Sequence, residues 1–247
     1  MSREYYEKLW WDYANKPIKR WIASRGIDIQ VRKTVILSAV KELRQNRSTP
    51  LGILDLGCGL GCLTDCLSKF GNVVGVDWAV SPAQKLFPDL QFIEADIASE
   101  DIPGKYDLVV SSELYEHLDS EGQTTFLKKV SNLLHEDGFL ILTTPNRPIH
   151  EVFVKDFKDL VDEMQPTENW VDSATLSESL EPYFIILSLE SVFPYHLLKR
   201  VRGKWILNKL VTVMMLLYIP VYRIFIAAPK ENGLILVLVA RKRSATD

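Results

Sequence analysis

Seven residues, Asp55-Leu56-Gly57-Cys58-Gly59-Leu60-Gly61, constrain this chain more than any other stretch. They join a short apolar run, Gly52–Leu56, to a helical pattern over Leu60–Lys69. Glycines here permit a tight turn and close backbone approach to a ligand, and a helix N-terminus attracts anionic groups. Beyond them the pattern alternates. Strands are expected at Asn72–Asp77, Leu90–Glu94, Tyr106–Ser111 and Phe139–Thr144. A short turn or helix with Pro82 and Pro88 and a helix over Ser120–His135 lie between, and Asp137-Gly138 turns the chain into the fifth strand. Such alternation predicts a parallel sheet wrapped by helices on both faces.

Helices are also expected at 2–15, 29–46 and 173–181, with further strands at Tyr183–Val192 and Gly233–Ala240. A long apolar and basic helical insertion is expected over 196–227. The 247 residues, 47% apolar and 25% charged, suffice for one full core. The expected organisation is a single domain over 1–247. Its helical cap spans 1–48, its ligand-binding core 50–146, and its substrate-side elements 147–247. The net charge of −3 argues against a nucleic-acid partner. Cys58, Cys62 and Cys66, spaced four apart, read as small core residues sharing a helical face and not as a disulfide framework or a metal site. The charged N-terminus shows no secretory h-region, and the apolar run Leu210–Tyr222, broken by Pro220, is too short to span a bilayer, so a cytoplasmic location is expected.

Asp55 lies at the end of the first strand and Asp77 ends the second. In doubly wound sheets, an acidic residue after the second strand commonly takes ribose hydroxyls. Asp55 through Gly61 resembles motif I of the class I S-adenosylmethionine-dependent methyltransferases, (D/E)-x-G-x-G-x-G. A dehydrogenase G-x-G-x-x-G fits poorly, because Cys62 stands where the last glycine would be. The resemblance covers roughly 50–146. It implies a Rossmann-like α/β fold, with a seven-stranded, mostly parallel sheet whose last strand is antiparallel. It also implies a set of cofactor contacts. The turn Gly57, Cys58, Gly59 and Gly61 would pass the amino-acid part of S-adenosylmethionine, and Asp55 would help hold its ammonium. Asp77 would accept the ribose hydroxyls and Trp78 would pack on adenine. Asp96 would accept the adenine amino group, Ile97 would cover the ring, and Ser111 and Ser112 would line the methionine end.

The segment Glu113-Leu114-Tyr115-Glu116-His117 resembles the E-x-x-E-H of the ubiquinone-biosynthesis O-methyltransferase subgroup, and Thr144-Pro145-Asn146-Arg147 its T-x-N-R. Trp10-Trp11-Asp12 is similar to that subgroup's first helix, and Arg32 falls where the subgroup has a cofactor-contacting arginine. The resemblance implies methyl transfer to a small molecule, with an oxygen acceptor favoured and S-adenosyl-L-homocysteine as product. For a hydroxyl acceptor, the protein must position the nucleophile and take its proton. His117 and His150 are the candidate bases. Glu113, Glu116 and His117, at i, i+3 and i+4, could face a divalent ion if helical, but the set is incomplete and no metal ligand is assigned. N-methylation of an amino sugar or other small amine is the alternative, and a non-catalytic cofactor-binding subunit or a nicotinamide oxidoreductase are rivals of other classes. The insertion over 196–227 reads as a lid over the substrate pocket, a homodimer surface, or an interfacial helix on a membrane, the last implying a hydrophobic substrate.

Overall fold

The computed structural model describes residues 3–17, 19–20, 26–45, 47–156, 168–202, 223 and 232–244. The strands are β1 (Leu51–Leu56), β2 (Gly71–Asp77), β3 (Gln91–Glu94), β4 (Tyr106–Ser112), β5 (Leu134–Pro145), β6 (Phe184–Pro194) and β7 (Gly233–Lys242). The helices are α1 (Arg3–Asn15), α2 (Ile27–Gln45), α3 (Cys62–Leu67), α4 (Ser81–Leu86), α5 (Ser120–Leu133), α6 (Arg147–Asp156), α7 (Ser173–Leu180) and α8 (Tyr195–Arg202), with a 3-10 turn over Tyr115–His117.

All seven strands form one sheet in the order β3-β2-β1-β4-β5-β7-β6. β1 pairs in parallel with both β2 and β4, and β4 with β5, whereas β7 runs antiparallel to β5 and β6. Strand order therefore reverses beside β1. The crevice outside the carboxyl ends of β1 and β4 is where such sheets bind ligands.

The core follows from the two-residue period of strands. Ile53, Leu108, Val110 and Ile141 point to one face, where Ile36 and Val40 of α2 and Leu67 of α3 cover them. Their neighbours Leu54, Val109, Leu140 and Leu142 point to the other face, under Phe126, Leu127 and Val130 of α5 and Leu176 and Leu180 of α7. Two carboxylates cap these latter helices: Asp119 accepts from Gly122 N at 2.7 Å and Asp172 from Thr175 N at 2.8 Å.

Three details depart from the sequence reading, and a fourth expectation falls largely outside the described residues. α5 ends at Leu133, because Leu134 already pairs with Tyr106 as the start of β5, and Asp137, at φ 59, bends that strand. α6 was not expected; its first residues follow Asn146, whose carbonyl accepts from His150 N at 2.8 Å. Cys58 sits in the turn before α3 and not on its face, while Cys62 and Cys66 are half-buried on the helix. Of the insertion expected over 196–227, the described residues show α8 as far as Arg202 and Arg223, and the remainder lies outside them. Among the described residues, no helix is long and apolar enough to cross a membrane.

Candidate active site

The turn after β1 puts Gly57, Gly59 and Gly61 at φ 75, 50 and 76, in the left-handed region that side chains disfavour. Gly57 N and Cys58 N both donate to Val76 O, at 2.8 and 3.0 Å, so the turn folds over the end of β2. There Asp77 ties it down: Oδ2 accepts from Gly59 N at 2.9 Å and Oδ1 from Ala79 N at 3.1 Å. Burial pushes the Asp77 carboxyl above its ordinary range, and these backbone donors oppose the shift. Gly59 must also be bare for a packing reason, since a Cβ there would lie 3.1 Å from the Trp10 ring.

That turn forms one wall of a cavity of about 750 Å³, within the range of ligand sites. Asp55, Cys58, Trp78, Asp96 and Ile97 line it as the sequence led one to expect, and so do Arg32, Ser112 and His117. Asp55 is fully buried and accepts from Thr64 Oγ1 at 2.6 Å; loss of hydration pushes its pKa up to about 7 despite that bond. At Asp96, desolvation is outweighed by donors from Ser99, Trp78 and Ala98, which together hold the carboxyl below its ordinary value.

Two expected residues lie elsewhere. Ser111 and Ser112 are successive in β4 and face opposite sides; Ser112 faces the cavity, while Ser111 is fully buried and does not line it. His150, on α6, is also absent from the lining. It packs 4.4 Å from Trp170 and 5.5 Å from Phe153, and burial pulls its pKa down to about 4, so it is a neutral imidazole in an aromatic cluster.

His117 sits on the 3-10 turn, which is firmly clamped. Asn169 N donates to Glu116 O at 2.7 Å, Asn169 Nδ2 to Leu118 O at 2.8 Å, and Gln123 Nε2 to Tyr115 O at 3.2 Å. Glu116 itself points away from the cavity. Its buried carboxylate accepts from Thr144 Oγ1 at 3.1 Å and is pushed well above its ordinary value by burial, with the nearby Arg32 charge opposing. Glu116 Oε1 lies 4.0 Å from His117 Nε2. Glu113 turns a third way, to Arg32 and Thr143. The E-x-x-E-H side chains therefore have three different surroundings. They do not fit a metal ion, and among the described residues no group of three His, Cys, Asp or Glu side chains could hold one.

Sequence reasoning missed the roof of this cavity. Tyr6, Trp10 and Tyr13 of α1 line it, and Tyr6 meets Trp78 edge to face at 5.7 Å. Their i, i+4, i+7 spacing is the signal that one helix face is apolar and covered. Trp10 Nε1 is buried with no hydrogen-bond partner among the described residues, close enough to Asp77 to favour its charged form.

Comparison with known proteins places this arrangement. A family model described as a methyltransferase domain matches residues 29–190. The ubiquinone biosynthesis O-methyltransferase of Bradyrhizobium diazoefficiens is 34% identical over 105 residues, 39% of this chain and 41% of that protein. The enzyme of the same name from Colwellia psychrerythraea is 26% identical over 158 residues, 57% of this chain and 60% of that protein. The matches thus span about half the length of these curated relatives. Among solved structures, the N-methyltransferase NodS from Bradyrhizobium japonicum, in complex with S-adenosyl-L-homocysteine, superposes with a TM-score of 0.62 at 12% identity, covering 97% of this chain and 99% of that one. Magnesium protoporphyrin IX methyltransferase from Synechocystis, with the same molecule bound, gives a TM-score of 0.62 at 17% identity, with 98% of each chain covered. Those two likenesses establish the fold, and the match over 29–190 establishes the family: this chain belongs to the methyltransferase domain family.

Proposed function

We propose that this chain transfers the methyl group of S-adenosylmethionine to a hydroxyl oxygen of a small molecule. One observation carries the reading: a single cavity joins the glycine turn, Asp77 and Asp96 to His117. The residues present fit the cofactor. Asp77 and Asp96 are acceptors, suited to ribose hydroxyls and to an adenine amino group, and Trp78 offers an aromatic face. The bare Gly59 and the buried Trp10 N–H complete a cradle of donors and close backbone. Relatives named as O-methyltransferases support the oxygen acceptor, and the structures solved with S-adenosyl-L-homocysteine support the cofactor.

When bound, S-adenosylmethionine supplies a methyl group already made electrophilic by its sulfonium. The protein's part is to align the acceptor, exclude water and take a proton. α1 roofs the cavity against solvent. His117 is the titratable imidazole that lines the cavity, on a turn that Asn169 and Gln123 hold still, and it takes the hydroxyl proton.

Calorimetry tests the cofactor site. S-adenosyl-L-homocysteine binds and NAD does not, and Asp77→Ala weakens binding by about 2 kcal/mol, for charge-assisted hydrogen bonds lost. Binding of NAD alone overturns the reading. The acceptor end is tested with labelled methyl donor and a panel of hydroxylated and amino compounds. His117→Ala keeps the wild-type affinity for S-adenosyl-L-homocysteine and loses at least about 100-fold in turnover; transfer to amines alone overturns the oxygen acceptor.

A further inference from the structure

The loop after β3, residues 96–100, belongs to no helix or strand, yet it brings Asp96 and Ile97 to the cavity wall, with Ala98 beside them. Within the loop, side chains and backbone close on one another. Ala98 N donates to Asp96 Oδ1 at 2.9 Å, Ser99 Oγ to Asp96 Oδ2 at 2.6 Å, and Glu100 N to Asp96 O at 2.8 Å. Asp96 N in turn donates to Glu100 Oε2 at 2.6 Å. The remaining carbonyls need donors from outside the loop. One side chain supplies them. Lys129 of α5 donates from Nζ to Ile97 O at 3.3 Å, Ala98 O at 2.9 Å and Glu100 O at 3.1 Å. An ammonium has three donors, and here all three go to a single loop.

The far end of this arm is fixed. Phe126 and Val130, on the same helix, are buried in the main core, so the Lys129 backbone cannot follow the loop if it moves. Among the described residues, Lys129 meets no carboxylate; its charge is spent on carbonyls. Its neighbour Lys128 is exposed and makes no hydrogen bond among the described residues, so proximity to the loop in sequence or charge alone does not produce the contact. A segment outside regular structure, gathered by its own side chains, keeps freedom to move as a body. Three charge-assisted bonds to a core helix remove that freedom. This matters for recognition, because a buried acceptor selects an amino donor over a carbonyl only when it is held within a fraction of an ångström of its place.

We propose that Lys129 is a positioning residue of the cofactor site: it latches the 96–100 loop to α5, and thereby sets the affinity for an adenine ring and the rejection of purines that lack its amino group. The inference rests on the cofactor reading above. Lys129 itself does not line the cavity and touches no ligand; it acts through Asp96 and Ile97.

Two ligands differing at one purine position test it. S-adenosyl-L-homocysteine offers an amino group to Asp96, and S-inosyl-L-homocysteine has a carbonyl oxygen in its place. Binding is measured by calorimetry, with circular dichroism melts to confirm that each variant is folded. Wild type prefers the adenosyl ligand by at least about tenfold. Lys129→Met weakens the adenosyl ligand about tenfold and leaves the inosyl ligand within about twofold, so that the preference collapses. Lys129→Arg, which keeps the charge and the donors, retains most of it, and Lys128→Met changes neither affinity. Wild-type affinity of Lys129→Met for S-adenosyl-L-homocysteine overturns the proposal. So does an equal loss for both ligands, the mark of a merely structural role, or a loss in Lys129→Arg as large as in Lys129→Met. Should wild type bind both ligands equally, the latch fails as a determinant of selectivity while the cofactor reading stands. Should it bind neither, the cofactor reading fails and the proposal with it.

Discussion

Asp55 shows how one side chain can serve a fold and burden it at once. Its carboxyl closes β1 and holds Thr64 of α3, yet burial raises its pKa to about 7. In the unfolded chain the same group titrates near 4. The folded state therefore binds this proton more tightly, and the stability so gained is present below about pH 4 and is lost as pH rises through about 7. Asp55→Asn keeps an acceptor for Thr64 and removes the titration. In the unliganded protein, wild type should lose a few kcal/mol relative to Asp55→Asn between pH 5 and pH 8. Melting curves at a series of pH values measure this, and parallel profiles for the two proteins would reject it.

At the scale of elements, α1 and α5 contrast. α5 buries Phe126, Leu127 and Val130 in the main core. α1 has Ala14 as its one buried residue, and its aromatic face packs on the cavity, with edge contacts such as Tyr6 on Trp78. Arg3 with Glu94 and Lys85 with Asn15 tie its ends to neighbouring elements through exposed side chains, and exposed pairs contribute little. A helix docked mainly onto a ligand site opens at low free-energy cost and closes when the ligand is present. Amide exchange over Arg3–Asn15 should slow by an order of magnitude or more on saturation with S-adenosyl-L-homocysteine, with little change over Ser120–Leu133. Mass-spectrometric exchange reads both; equal slowing of the two helices would show global stabilisation instead of lid closure.

For the whole molecule, stability resides in the two-faced sheet. Leu127 is fully buried between α5 and the strands, and Leu127→Ala should cost about 2–5 kcal/mol, the transfer and cavity terms combined. Val152, 44% exposed on α6, should tolerate Ala within about 0.5 kcal/mol. Urea unfolding followed by far-UV circular dichroism compares them. A small loss at Leu127 would mean that this face of the core is loosely packed.

Much of this architecture can be read from local pattern, because it is local in origin. The apolar alternation of Ile53 and Leu54, or of Leu108, Val109 and Val110, already assigns the two faces of a strand. A left-handed conformation strongly favours glycine, so three glycines in one turn, Gly57, Gly59 and Gly61, announced the ligand end of β1, with Asp77 and Asp96 in step behind them. What sequence spacing could not supply was the direction of side chains once elements pack. Ser111 and Ser112 are adjacent in sequence and differ in face, and only the placement of β4 beside α2 decided which one meets the cavity. His150 is a histidine near the end of a strand like His117, but α6 turns it into the ring of Trp170. Glu113, Glu116 and His117 carry the spacing of a ligand set, and a 3-10 turn after a strained residue sends each toward a different partner. The pairing of Arg32 with Glu113 joins α2 to the residue just after β4, with 80 positions between them. Contacts over such separations depend on the summed packing of the intervening elements, and so this ion pair belongs to the tertiary structure alone.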